Sequence, residues 1–448
     1  MSSHLIATRV LAQEARALLT RLERLRPYAL QTPMVTAATV PSTAQAAIED
    51  HMSKSRRQLR AMVSRFLQWL QGPNGQRAAP AEAQKRFTLL RLRFNSVLTQ
   101  FDIFSDVLAQ RSEHETGVWI AGLDDVAADA LALPSYYTAP PVVCYLDRGH
   151  GAAIRRARTR LPGGDLTPIA IIRMPRERMV GNGIASSLVH EVGHQGAALL
   201  DLANSLRPAL RGMQSKGGAE QPAWILWERW ISEILADFWA LVKLGIAATT
   251  GLIGVVSLPR AFVFRVDMDD PHPVPWIRVK LSCAMGRALY PHPQWDAWAA
   301  LWQSFYPTDE LDQARRILLA NLEGTMPAFV SLLVNHRPKA LRGRSLPEVM
   351  SVEDRQPSRL AAYYQAWGGF PMLMRNAPPT LAFAVIGQAR ADGKISAEEE
   401  SRTLASLLTY WAVRSAMNIS TTYVMPPAPC ACPSASRSNV RQTTISTH

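Results

Sequence analysis

Two histidines four residues apart enclose a glutamate in His190-Glu191-Val192-Gly193-His194, the grouping in this chain with the plainest chemical potential. Leu188-Val189 precede it and Ala197-Ala198-Leu199-Leu200 follow, a pattern that reads as helix. Positions four apart on a helix share a face, so both imidazoles can reach one Zn²⁺ while Glu191 stands beside the metal's open position. The chemistry this suits is hydrolysis by a metal-activated water.

A catalytic zinc takes three protein ligands and keeps a fourth position for water. Downstream, Trp224 to Lys243 reads as a second helix and carries Ser232-Glu233-Ile234-Leu235-Ala236-Asp237. Glu233 lies 39 residues beyond His194, and the Gly- and Pro-containing stretch Leu206 to Pro222 lets the two helices fold back antiparallel. Glu228 is the rival third ligand. Asp237, one turn beyond Glu233, shares its face and can accept the free ring N–H of His190 or His194, which would fix the ligating tautomer.

These residues resemble the gluzincin zinc metallopeptidases, in which a His-Glu-x-x-His helix is followed by a Glu-x-x-Ala-Asp helix. A third segment, Asp270-Pro271-His272-Pro273-Val274-Pro275-Trp276-Ile277-Arg278, is similar to the His-Pro-x-x-x-x-Arg element of the CaaX-prenyl-protease and HtpX-type branch. The resemblance spans residues 186–278. It implies a zincin-like core in which His190, His194 and Glu233 bind Zn²⁺, Glu191 is the general base of peptide-bond hydrolysis, and Asp237 orients a ligand. It also brings His272 and Arg278 near the metal as candidate oxyanion partners; alternatively, Arg278 pairs with Asp237 or Asp270. The chain departs from that branch in having no convincing transmembrane helix, so a soluble relative acting on peptide or protein substrates is expected.

The elements that must position these groups are mainly helical. Leu5 to Arg26, Ala44 to Leu70, Ala81 to Gln110 and Gly117 to Leu133 repeat apolar residues at helical spacing, and helical patterning resumes after Gly181-Asn182-Gly183. Only Pro141 to Asp147 and Leu166 to Met174 read as strands, with a loop or hairpin between them. In gluzincins the strand just upstream of the zinc helix is an edge along which substrate pairs, and Leu166 to Met174 is expected to serve so. The fold class is therefore mainly α (α+β) with a small sheet. We expect a helical region at 1–136, the metallopeptidase core at 137–345, a second helical region at 346–423 and a disordered tail at 424–448. The tryptophans at 224, 227, 230 and 239 recur at helical spacing and read mostly as core.

Composition sets the outer limits. With 48% hydrophobic residues in 448, the chain can bury a core and is not intrinsically disordered. Four cysteines at irregular spacing exclude a disulfide scaffold, and the start offers no secretory apolar core, so a cytoplasmic location is the default expectation. The longest apolar run, Leu244 to Leu258, is interrupted by glycines and reads as core helix plus turn. Formal net charge is +13, yet the arginines are dispersed with only short clusters such as Arg155 to Arg160. Charge without a motif does not make nucleic acid the expected partner. A helical interaction or scaffold protein on a metallopeptidase-like core is the alternative reading, favoured by the long helical flanks.

Overall fold

Three long helices open the chain, α1 (Ser3–Arg24), α2 (Ser42–Gln71) and α3 (Pro80–Ala109), in a computed structural model that describes residues 3–28, 33–149, 151–350 and 352–424. Each buries one stripe: in α1 it is Leu11, Ala15, Leu18 and Leu22, at intervals of four, three and four. Pro80 starts α3, where its missing N–H costs nothing. The expected tail from Pro426 lies outside the described residues.

Helix α4 (His114–Leu131) leads into a three-stranded sheet of β1 (Val142–Asp147), β2 (Ala153–Arg155) and β3 (Ala170–Pro175). The spatial order is β1-β3-β2, with β1 parallel and β2 antiparallel to β3. This corrects an expectation: the strand before the His-Glu-x-x-His helix is central, flanked on both sides, and cannot accept an added strand. The outer edge of β1 is capped by side chains of Gln110, Arg111 and Asp124, so the open edge is that of β2, which the sequence hid because three residues carry too little pattern to read.

Alternation along the strands splits the sheet into two faces. Val142, Cys144, Leu146, Ala170, Ile172 and Met174 join the larger core, whereas Val143 and Ile171 join the core of the N-terminal bundle. The two larger buried cores each draw on more than one stretch of the chain. Residues of α4 and of the C-terminal helices Pro379–Ala391 and Ala397–Val424 share the larger core with the metal-site helices. Buried Arg111 fastens the junction, donating to Asp124 at 2.9 and 3.2 Å and to the Cys144 carbonyl at 2.8 Å.

The larger core is built around helices 182–199, 231–244, 246–256 and 275–289, the metal-site group described below. Trp224, Trp227, Trp230, Trp239, Trp276, Trp295 and Trp302 are all fully buried in it, as their spacing implied for most. The apolar run 244–258 is a turn at Gly245 followed by a core helix. Among the described residues one helix, Gln313–Asn335, is long and apolar enough to cross a membrane by length and composition. Here it packs inward, with Phe329 stacked on Trp227 at 4.7 Å and Thr325 accepting from the Trp227 indole at 2.9 Å.

Candidate metal centre

The His-Glu-x-x-His segment lies on the helix Asn182–Leu199, launched by Gly181 in a positive-φ conformation (φ 54°) that a side chain would strain. Across it runs the helix Ile231–Leu244. The crossing is close because Gly193 sits at it: a Cβ there would lie 2.8 Å from Ala236 Cα and 2.9 Å from the Ala236 carbonyl oxygen. Gly193, one of the two unspecified positions of the motif, thus lets the second helix place Glu233 and Asp237 beneath the imidazoles.

His190, His194 and Glu233 form a group whose ligand atoms all lie within 4.8 Å of one another and could hold a metal ion. Glu233 Oε2 is 3.2 Å from His190 Nε2 and 3.3 Å from His194 Nε2. Ligands about 2.0–2.1 Å from a small tetrahedral ion such as zinc stand about 3.3–3.4 Å apart, and the two oxygen–nitrogen pairs are close to that spacing. His272 Nε2 is also 3.1 Å from the same oxygen. Three imidazoles converge on an oxygen with two lone pairs, an arrangement better suited to a shared cation than to hydrogen bonding alone.

The rest of the constellation supports these groups. Asp237 Oδ1 lies 2.7 Å from His190 Nδ1, leaving Nε2 facing the group, so it is His190 rather than His194 that this carboxylate orients. Arg278, on the helix Pro275–Leu289, donates to both Asp237 oxygens, from Nε at 2.6 Å and from Nη2 at 2.8 Å. Of the two expected roles for Arg278, the structure shows the pairing with Asp237. His272 stands on the preceding loop, with Nδ1 2.8 Å from Asp270 Oδ1 and its backbone N–H donating to the same oxygen at 2.9 Å. Asp270, named from the sequence only as a possible partner of Arg278, holds His272 instead.

Electrostatics follow from burial and neighbours. Burial disfavours the His190 imidazolium, but the Asp237 and Glu233 carboxylates outweigh it and lift its pKa to about 9. Glu233 and Asp237, although buried, are held well below the usual carboxylate range, the first by three imidazoles and the second by Arg278 and His190. Glu191 is 7% exposed, and burial raises its pKa against the opposing pull of His190 and His194. A carboxylate so raised is a better proton acceptor than an exposed one.

Glu228, the rival ligand, is elsewhere. It accepts from Arg211 Nε at 2.8 Å and from Gln214 Nε2 at 2.7 Å, packing helix Gln221–Arg229 onto helix Leu202–Gln214. A residue the sequence did not flag is Gln195, 2% exposed, whose side-chain oxygen accepts from the Ala157 N–H at 2.8 Å and ties the loop after β2 to the metal helix. No family model, curated protein or solved structure matches the chain.

Proposed function

We propose that the protein is a zinc-dependent metallopeptidase. The observation that carries this reading is the convergence of His190, His194 and Glu233 from two helices, with Glu191 on the same helix turn as the first two. Two imidazoles and one carboxylate are a donor set suited to zinc with one position left for water. Zinc, when bound, would supply the Lewis acid that acidifies a water and polarises a substrate carbonyl.

The chain's own residues would do the rest. Glu191 takes the proton of the attacking water and passes it to the leaving amine. His272, held at Nδ1 by Asp270, has its Nε2 beside the metal group, where it would donate to the developing oxyanion. Asp237 and Arg278 keep His190 in its ligating tautomer. An extended substrate would pair along β2, the open edge whose following loop Gln195 ties to the metal helix.

The test uses purified full-length chain. Wild type should carry about one zinc per chain, lost in His190→Ala and in Glu233→Ala. Glu191→Gln should keep the zinc and lose hydrolysis of a peptide library. A zinc-free wild type refutes the site, and zinc retained with no difference in hydrolysis between wild type and Glu191→Gln leaves the scaffold reading in its place.

A further inference from the structure

Apart from the metal group, the molecule has a cavity of about 980 Å³ between β-strand and helix surfaces on the far side of the sheet. The strand register explains its position. Tyr145, Arg173 and Ala153 are cross-strand partners, as are Val143, Ile171 and Arg155, and these two rows point toward α3 rather than toward the metal helix. Ile103 and Val107 of α3, with Ile171, supply apolar lining, and the Tyr145 ring stands among them.

The polar lining is dominated by guanidinium groups: Arg155, Arg156, Arg160 and Arg173. The carboxylates facing them are Asp106 and Asp147, and Asp147 is 3.8 Å from Arg173. Among the described residues no carboxylate lies within ion-pair distance of Arg155, Arg156 or Arg160, so like charges crowd one loop without neutralisation. That loop is nevertheless fixed. Ala157 N–H donates to Gln195, Arg158 N–H to the Thr167 carbonyl at 2.9 Å, and the Thr159 hydroxyl to the Arg156 carbonyl at 2.6 Å. Backbone held this firmly presents its arginines at low ordering cost to an incoming anion.

We infer that this cavity is a binding site for a polyphosphorylated organic molecule of nucleotide size. Closely spaced guanidinium forks match the concentrated charge of linked phosphates better than the dispersed carboxylates of an acidic peptide. The volume is far larger than one phosphate needs and lies at the upper end of small-ligand pockets, about 300–1,000 Å³. The apolar lining and Tyr145 leave room for an organic body beside the phosphates. The sheet separates this site from the metal, and the inference does not depend on hydrolysis.

The probes are ATP and inorganic tripolyphosphate, titrated calorimetrically into the full chain at near-physiological salt. Both should bind, ATP more tightly because it also covers the apolar lining. The double variant Arg156→Glu/Arg160→Glu, whose side chains are exposed, should weaken ATP binding by about 100-fold or more, with thermal midpoint and zinc content unchanged. Arg160→Gln should give an intermediate loss. Failure of both probes to bind below about 1 mM overturns the inference, as does binding that the variants leave intact. Preference for a hexaglutamate peptide or a single-stranded oligonucleotide over ATP, lost in the same variants, overturns it in favour of a polymeric partner.

Discussion

Arg278 grips both oxygens of Asp237, at 2.6 and 2.8 Å, while the same carboxylate lies 2.7 Å from the ring Nδ1 of His190. The pair is buried and two-pronged, so it sets the rotation of an imidazole through a rigid chain of contacts rather than through a mobile surface charge.

Replacing the fork with a point charge isolates that role. Arg278→Lys keeps the positive charge but cannot hold both oxygens, and metal affinity should fall by about 10- to 100-fold in a competition titration with a chelator. Unchanged affinity would reduce the ion pair to a packing feature.

The close crossing at Gly193 predicts a stability effect with a built-in control. Gly193→Ala forces the two metal-site helices apart because the neighbour is Ala236 backbone, and should cost about 1–3 kcal/mol in denaturant unfolding along with weaker metal binding. Gly212, also helical, has nothing within 4 Å of an added Cβ, so Gly212→Ala should be neutral or stabilising by up to about 1 kcal/mol.

The two glutamates near the tryptophan-rich turn should separate cleanly. Glu228→Gln disturbs contacts to Arg207, Arg211 and Gln214, away from the metal group, and should leave metal content at the wild-type level, whereas Glu233→Gln should abolish it. Equal metal loss in both would contradict the ligand assignment.

Away from the metal, Asp125 makes stability depend on pH. Burial raises its pKa to about 6 despite the Ser415 hydroxyl, whose single O–H donates to a carboxylate with both oxygens in reach, at 2.8 and 2.9 Å. The folded state therefore holds this proton more tightly than the unfolded chain, whose aspartate titrates near 3.9. Between about pH 4 and pH 6 the native state binds more protons, so this group's contribution to stability falls as pH rises. Asp125→Asn should remove that slope and raise stability at neutral pH by about 2 kcal/mol, read from urea unfolding at pH 4, 5, 6 and 7.

Much of the local organisation was legible in the sequence because helices announce themselves by periodic burial. The four-residue spacing of His190 and His194 puts them on one face of any helix that contains them, and the Glu233–Asp237 spacing does the same. Tertiary structure decided what spacing cannot. It set Glu233 rather than Glu228 beside the imidazoles, because Glu233 lies on the helix that crosses at Gly193 and Ala236 whereas Glu228 lies on the separate helix before it. It gave Asp237 to His190 and Arg278 to Asp237. It also made β3 the central strand, since strand order depends on non-local pairing with β2, a segment too short to carry a pattern of its own. The dispersed positive charge acquired a local meaning in the same way: Arg155, Arg156 and Arg160 are already neighbours in the chain, but only strand register and the Gln195 anchor bring them, with Arg173, to one cavity.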